Sequence, residues 1–222
     1  MEQMAQPCVA LFDLDGTLTW RDTLLPFLAR YLRHHPWRLL GLWRLPGALL
    51  GYLADRDRGL LKARLIRLCM AGARRADVQR SARGFVAAAL APRGRFRREA
   101  LDVLERHRTA GDRLVLLSAS PDLYVPLIGQ SLGFERTVCT ELLWRDGRLD
   151  GRLATPNRRG PEKTRVLQTL RDHYPGLPFI AYGNSDSDLD HMRRTERALL
   201  VNAGGAARRA AAVLGIPSAE WR

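Results

Sequence analysis

Cys8-Val9-Ala10-Leu11-Phe12-Asp13-Leu14-Asp15-Gly16 decides the fold class. An apolar run that ends on two carboxylates is the pattern of a parallel strand buried on both faces, its carboxyl end opening onto a site. Further short apolar runs at Leu114 to Leu117, Phe179 to Tyr182 and Ala198 to Val201 are separated by segments of helical length. That alternation predicts an α/β fold, a doubly wound, Rossmann-like parallel sheet whose ligand crevice lies beyond the carboxyl ends of its strands.

Two stretches interrupt the alternation. Residues 20–95 carry repeated helical patterns and no convincing strand, which predicts a helical cap inserted after the first strand, with 1–19 and 96–222 forming the catalytic core. The second stretch, Thr137 to Leu153, has two extended runs around Asp146-Gly147, a hairpin turn signal, and is expected to project from the sheet edge.

A chain of 222 residues that is 46% hydrophobic can bury a substantial core, so disorder is excluded. Acidic residues arrive before any apolar run of signal-peptide length, and a cytoplasmic location is expected. Cys8, Cys69 and Cys139 are widely spaced and form no CxxC pair, as expected of reduced, buried thiols. His34, His35, His107, His173 and His191 show no ligand spacing and read as surface or boundary residues. The net charge of +13 is unevenly placed: between Trp20 and Arg98 there are 18 Lys and Arg against four acids, a net of +14, while the remainder has 18 bases and 19 acids. This excess is either a solvated helical face or an attraction to an anionic partner, a lipid surface or a polyanion. A binding module for nucleic acid is the least favoured reading, because no recognition-helix pattern, zinc knuckle or aromatic-rich strand motif is present.

The chemistry is concentrated in Asp13-Leu14-Asp15-Gly16-Thr17. A phosphate ester yields when its charge is neutralised, a nucleophile is in line and the leaving alkoxide receives a proton. Asp13 can attack while its other oxygen binds a metal ion, and Asp15, turned away at Gly16, can protonate the leaving group and then deprotonate water. Its backbone carbonyl can also face the metal. The plain alternative for this pentapeptide is a solvated turn with an Asx cap.

These residues resemble motif I of the haloacid dehalogenase superfamily, and three further motifs follow in order. Leu114 to Ser118 resembles motif II, in which the Ser118 hydroxyl and neighbouring backbone N–H groups, that of Ala119 included, hold phosphoryl oxygens. Taken alone, Ser118 reads equally as a helix N-cap before Pro121. Lys163 resembles the motif III lysine that balances nucleophile and phosphoryl group, and Tyr182 to Leu189 resembles the acidic motif IV that holds magnesium. Asn184 stands where an acid is common and would coordinate without a formal charge. The resemblance thus implies Mg2+ held by Asp13, Asp15, Asn184 and Asp188, with Asp186 a substitute ligand, and phosphate held by Thr17, Ser118, Ala119 and Lys163. A carboxylate at Asp15 favours phosphomonoester hydrolysis over dehalogenation.

A helical insertion between motifs I and II is similar to the C1 cap of subfamily IB, which contains phosphoserine phosphatases. Tyr31 to Pro46, followed by Leu65 to Gly72 and Leu116 to Val125, resembles the branch of that subfamily that includes bacterial phosphatidylglycerophosphatase C. The implied substrate is a lipid phosphate such as phosphatidylglycerophosphate, and the alternative is a soluble, phosphoserine-like phosphomonoester. Leu39 to Leu53, with Arg44 its one charge, is shorter than the roughly 20 apolar residues a transmembrane helix needs and is broken at Pro46-Gly47. It reads as a buried hairpin of cap helices or as an interfacial surface, with Trp37 and Trp43 at headgroup level and Arg30, Arg33, Arg38 and Arg44 facing anionic phosphates. The second reading places the protein peripherally on the inner face of the membrane.

Overall fold

The computed structural model describes residues 6–47, 50, 53 and 57–222. The first apolar run forms β1 (Val9–Phe12), buried throughout. β1 pairs in parallel with β2 (Arg113–Pro121), Val9 opposite Arg113 and Phe12 opposite Leu116. On its other side is β6 (Phe179–Gly183), Val9 opposite Phe179 and Phe12 opposite Tyr182. With β3 (Arg136–Thr140), β7 (Arg197–Val201) and β8 (Ser218–Ala219) the order is β3-β2-β1-β6-β7-β8, parallel throughout. This is the doubly wound sheet expected from the apolar runs.

Alternation along β1 sends Val9 and Leu11 to one face and Ala10 and Phe12 to the other. The first face is covered by α6 (Pro161–His173), through Leu167 and Leu170, and by α7 (Asp186–Met192), through Leu189 and Met192. The second face shares one apolar cluster with the helical insertion. That insertion comprises α1 (Leu24–His34), a 3-10 stretch (Pro36–Arg44), α2 (Arg58–Met70) and α3 (Arg75–Leu90), and it precedes α4 (Arg98–Thr109). The chain leaves and re-enters the core through an antiparallel bridge, Trp20 N–H to Arg95 O and Arg97 N–H to Leu18 O, each 2.9 Å. Helix α1 buries Leu24, Phe27, Leu28 and Tyr31, the spacing of one helical face. Phe27 and Phe85 of the insertion pack on Tyr124 of the core, with ring centroids 4.7 and 5.2 Å away.

The Thr137 to Leu153 stretch departs from expectation in two ways. Its first run divides at Glu141: Arg136–Thr140 joins the main sheet, and β4 (Leu142–Arg145) pairs with β5 (Arg148–Leu153) across Asp146 and Gly147, both at positive φ. The hairpin also docks on the insertion. Gly72 N–H donates to Leu149 O at 2.8 Å and Leu149 N–H to Ala73 O at 3.0 Å, while the Arg75 guanidinium lies 4.1 Å from the Trp144 ring centroid. A two-stranded hairpin cannot bury an apolar face alone, and the insertion covers Leu142 and Leu149.

The buried-hairpin reading of Leu39 to Leu53 is overturned for its described residues. Leu39, Leu40, Trp43, Leu50 and Leu53 are exposed, as is Trp37, with Leu40 at 80% and Trp43 at 73%. Residues 48, 49, 51 and 52 of that stretch and the side chains of Leu42 and Arg44 lie outside what is described. Among the described residues no helix is long and apolar enough to cross a membrane. The three cysteines are free and buried, and burial pushes Cys8 up to about 11 and Cys139 to about 12. One histidine, His191, is not the surface or boundary residue expected. His191 is buried on α7, and His107 is fixed between Asp112 at 2.6 Å and the Tyr182 hydroxyl at 2.8 Å.

Candidate active site

Asp13 follows the last residue of β1, and its backbone N–H donates to Tyr182 O at 3.0 Å, carrying the sheet pairing one residue further. The chain then makes one wide turn over Leu14–Leu18. Gly16 has φ 85°, and a Cβ there would lie 2.0 Å from the Asn184 side-chain nitrogen, so both conformation and space demand glycine. The turn brings the Thr17 hydroxyl 3.1 Å from Asp13 Oδ2.

Lys163 sits in the first turn of α6 and Asp188 in the first turn of α7. The Lys163 ammonium donates to Asp13 Oδ1 at 2.6 Å and to Asp188 Oδ1 at 2.7 Å, and all three side chains are buried. The other Asp188 oxygen accepts the N–H groups of Asn184 at 3.2 Å and Ser185 at 3.1 Å and the Ser185 hydroxyl at 2.7 Å. Burial works against charge on Lys163, but Asp13 and Asp188 outweigh it and keep the ammonium protonated. Burial alone would also raise Asp188; Lys163 and the Ser185 hydroxyl hold it well below the usual carboxylate range. Asp13 goes the other way, pushed up to about 6 by burial despite Lys163. The Lys163 ammonium at 2.6 Å opposes this rise and favours the ionised carboxylate.

Asp15 faces away from this trio. One of its oxygens accepts the backbone N–H and the hydroxyl of Thr23, at 2.8 and 2.6 Å, and the other accepts the Ser120 hydroxyl at 2.5 Å. Burial, and then the charge of Asp22, raise its pKa. The Thr23 hydroxyl lies 2.9 Å from that of Tyr124. Thr23, Ser120 and Tyr124 were not legible as site residues: each is a common type, and only the folded chain brings them to Asp15.

These groups line a cavity of about 720 Å³ between the sheet ends and the insertion. Asp13, Asp15, Ala119, Lys163, Asn184 and Asp188 contribute to its wall. Thr17 and Ser118 do not, and both are fully buried. Ser118 belongs to β2, not to a helix cap, and its oxygen accepts the Ser120 N–H at 3.0 Å. Asp186 is exposed and absent from the lining, so it is placed poorly for a substitute ligand. The insertion adds Trp20, Arg21, Leu25, Arg58, Leu61 and Lys62.

The donor set fits a hard divalent cation. Asp13, the Asp15 carbonyl, Asn184 and Asp188 offer oxygen only, and the Asp13 and Asp188 carboxylates face each other across the Lys163 ammonium in the cavity wall. A different group, Cys8, His107 and Asp112, has ligand atoms within 4.8 Å of one another among the described residues. It is knit internally and to Tyr182 by hydrogen bonds, away from this cavity.

A parallel sheet with a helical insertion after β1, and a lysine bridging two aspartates at the strand ends, define a hydrolase class. Residues 10–193 match the haloacid dehalogenase-like hydrolase family, and the chain belongs to it. It is 36% identical over 189 residues to the protein CicA of Caulobacter vibrioides, covering 84% of this chain and 82% of CicA. A Bordetella pertussis protein of unknown function has the same fold, with TM-score 0.78, 22% identity, and 96% and 98% of the two chains covered. A phospho-aspartyl intermediate analogue of phosphoserine phosphatase also shares it, with TM-score 0.63, 17% identity, and 91% and 90% covered.

Proposed function

We propose that this hydrolase is a phosphatase that cleaves phosphomonoesters through an aspartyl-phosphate on Asp13. The observation that carries this reading is the Lys163 ammonium bridging Asp13 and Asp188 on the cavity wall, at 2.6 and 2.7 Å. The ammonium keeps the buried Asp13 carboxylate ionised, and its charge offsets that of an incoming phosphoryl group. An Asp13 oxygen attacks phosphorus as the bond to the ester oxygen breaks, and Asp15 gives its proton to that oxygen. Asp15 then takes a proton from the water that attacks the aspartyl-phosphate, releasing inorganic phosphate and restoring both carboxyl groups. The raised proton affinity of Asp15 suits both steps. Ser118, the Ala119 N–H and Thr17 position phosphoryl oxygens and Asp13. Magnesium, when held by Asp13, the Asp15 carbonyl, Asn184 and Asp188, supplies charge neutralisation. Residues 20–95 act as the cap and residues 1–19 with 96–222 as the catalytic core. Turnover of p-nitrophenyl phosphate is expected to vanish in Asp13→Asn and on chelation, and turnover that survives both overturns the reading.

The likeness to phosphoserine phosphatases supports a small, soluble phosphomonoester as substrate, with the protein acting in the cytoplasm. A second reading, a lipid phosphate such as phosphatidylglycerophosphate met at the inner face of a membrane, draws on one feature. The exposed Trp37, Leu40 and Trp43 share the insertion with its net charge of +12 over residues 20–95 and with the exposed Arg33, a combination that complements an anionic bilayer. Flotation with phosphatidylglycerol vesicles and with phosphatidylcholine vesicles separates the two. Selective, salt-sensitive capture by the anionic vesicles, lost in Trp37→Ser/Leu40→Ser, supports the second reading, and no capture removes it.

A further inference from the structure

The cavity wall carries more positive charge than phosphoryl transfer uses. Arg21, Arg58, Lys62, Arg159 and Lys163 stand against Asp13, Asp15, Asp22 and Asp188, an excess of one. A divalent cation and a phosphoryl dianion cancel each other, so the loaded cavity keeps that excess. Lys163 is committed to Asp13 and Asp188, which leaves the cations of the insertion and of the loop before α6 to account for it.

Lys62 stands out among them. It projects from α2, and its ammonium reaches the core, donating to the carbonyl oxygen of Ala119 and to Asn157 Oδ1 at 3.2 Å. Both acceptors are neutral, and together they use two of its three N–H groups. No carboxylate of the described residues pairs with it. A half-buried ammonium with no carboxylate among its hydrogen-bond partners is costly, and burial pushes its pKa down to about 8 although the charges of Asp15, Asp22 and Asp13 pull the other way.

Its position is set by close packing. A Cβ on Gly59 would lie 2.9 Å from that of Asn157, so the glycine lets the first turn of α2 rest on the loop before α6. One turn later Lys62 arrives over Ala119, the residue after Ser118. Arg58 lies four residues earlier on the same helix and also lines the cavity, as do Leu61 and Leu65.

We propose that Lys62 is a specificity-determining residue that binds a second anionic group of the substrate, a carboxylate or a phosphate, beside the phosphoryl group being cleaved. This rests on the phosphatase reading. The substrate class is therefore a phosphomonoester with a further negative charge within a few bonds, and Arg58 reinforces the same subsite.

The test uses the full chain with magnesium and p-nitrophenyl phosphate as reporter. Glycerol phosphate and phosphoglycerate, which differ by one carboxylate, compete against it. The wild type is expected to bind phosphoglycerate on the order of tenfold more tightly, a ratio that charge-assisted hydrogen bonds supply. Lys62→Met and Lys62→Gln are expected to bring the ratio to about one, and Lys62→Arg to retain a preference. Gln keeps a donor for Ala119 without the charge, so agreement between Met and Gln separates charge from cap packing. Equal weakening of both competitors in Lys62→Gln, or a wild type with no preference, overturns the proposal. Absence of any p-nitrophenyl phosphate turnover by the wild type overturns instead the phosphatase reading beneath it.

Discussion

Thr23 gives both its backbone N–H and its hydroxyl to a single oxygen of Asp15, at 2.8 and 2.6 Å. Thr23 opens α1, the first helix of the insertion, so the carboxylate of a core turn is oriented by the segment that covers it. Tyr124, on which Phe27 and Phe85 of the insertion pack, orients the Thr23 hydroxyl in turn. Packing of the insertion and placement of the acid are therefore one structural event.

Thr23→Val keeps the shape and removes the hydroxyl, leaving Asp15 and Tyr124 each short of a buried partner. A loss of about 1–3 kcal/mol in urea unfolding is expected. A fall in kcat of about tenfold or more should accompany it, since the acid is no longer held. Tyr124→Phe should cost less, about 1 kcal/mol. Steady-state kinetics with an aryl phosphate at saturating magnesium checks both.

Asn184→Asp adds a formal charge to an oxygen donor set that lacks one at that position. The magnesium concentration giving half-maximal activity should fall by about tenfold, as expected for a hard cation gaining a carboxylate ligand. The metal-free protein should lose stability, because the new carboxylate stands near Asp13 and Asp188 with Lys163 already engaged. Activity titrations with magnesium, and melting with and without a chelator, read the two effects separately.

Gly16→Ala forces a side chain into a positive φ and within 2.0 Å of the Asn184 amide. The strain alone costs about 1–2 kcal/mol, and displacement of Asn184 should reduce activity further and raise the magnesium requirement. Retention of wild-type activity and magnesium response would contradict this account of the turn.

His191 is buried neutral, its pKa pushed down by burial to about 3 from an ordinary 6.5. Between those values the unfolded chain binds a proton that the folded protein refuses, so stability falls as pH drops through about 6.5 toward 3. The slope due to this group is about 1.4 kcal/mol per pH unit. His191→Leu removes both the titration and an unpartnered buried nitrogen, and it should flatten the acid limb of the stability profile relative to wild type. Urea unfolding between pH 7 and pH 5 measures the difference.

Strands β1, β2, β6 and β7 were legible because a parallel strand covered on both faces must be an unbroken apolar run. Strand β8 was not: Ser218–Ala219 has no apolar pattern and exists because Leu200 N–H and Asn202 N–H reach Pro217 O and Ala219 O across the sheet edge. The hairpin turn was legible at Asp146-Gly147 from its demand for positive φ, but its docking on the insertion was not, since Gly72 and Ala73 lie far away in the chain. Asp13 and Asp15 could be named because they stand directly after a buried strand, where chemistry-bearing side chains collect, whereas Lys163, Asn184 and Asp188 could be named only through their resemblance to the later motifs of the family. The exposure of Leu40 and Trp43 could not be read, as an apolar stretch looks the same in a core and on a surface.

By itself the sequence determined the sheet, the family, the insertion and the residues that carry charge into the site, because strand burial and the Asp-x-Asp-Gly-Thr turn act over a few neighbouring residues. The tertiary structure alone decided that Lys163 bridges Asp13 and Asp188, that Thr23 and Ser120 hold Asp15, and that Lys62 reaches Ala119 from the insertion. Those pairings join residues from separate elements, and only the packing of the insertion against the strand ends brings them within hydrogen-bonding distance.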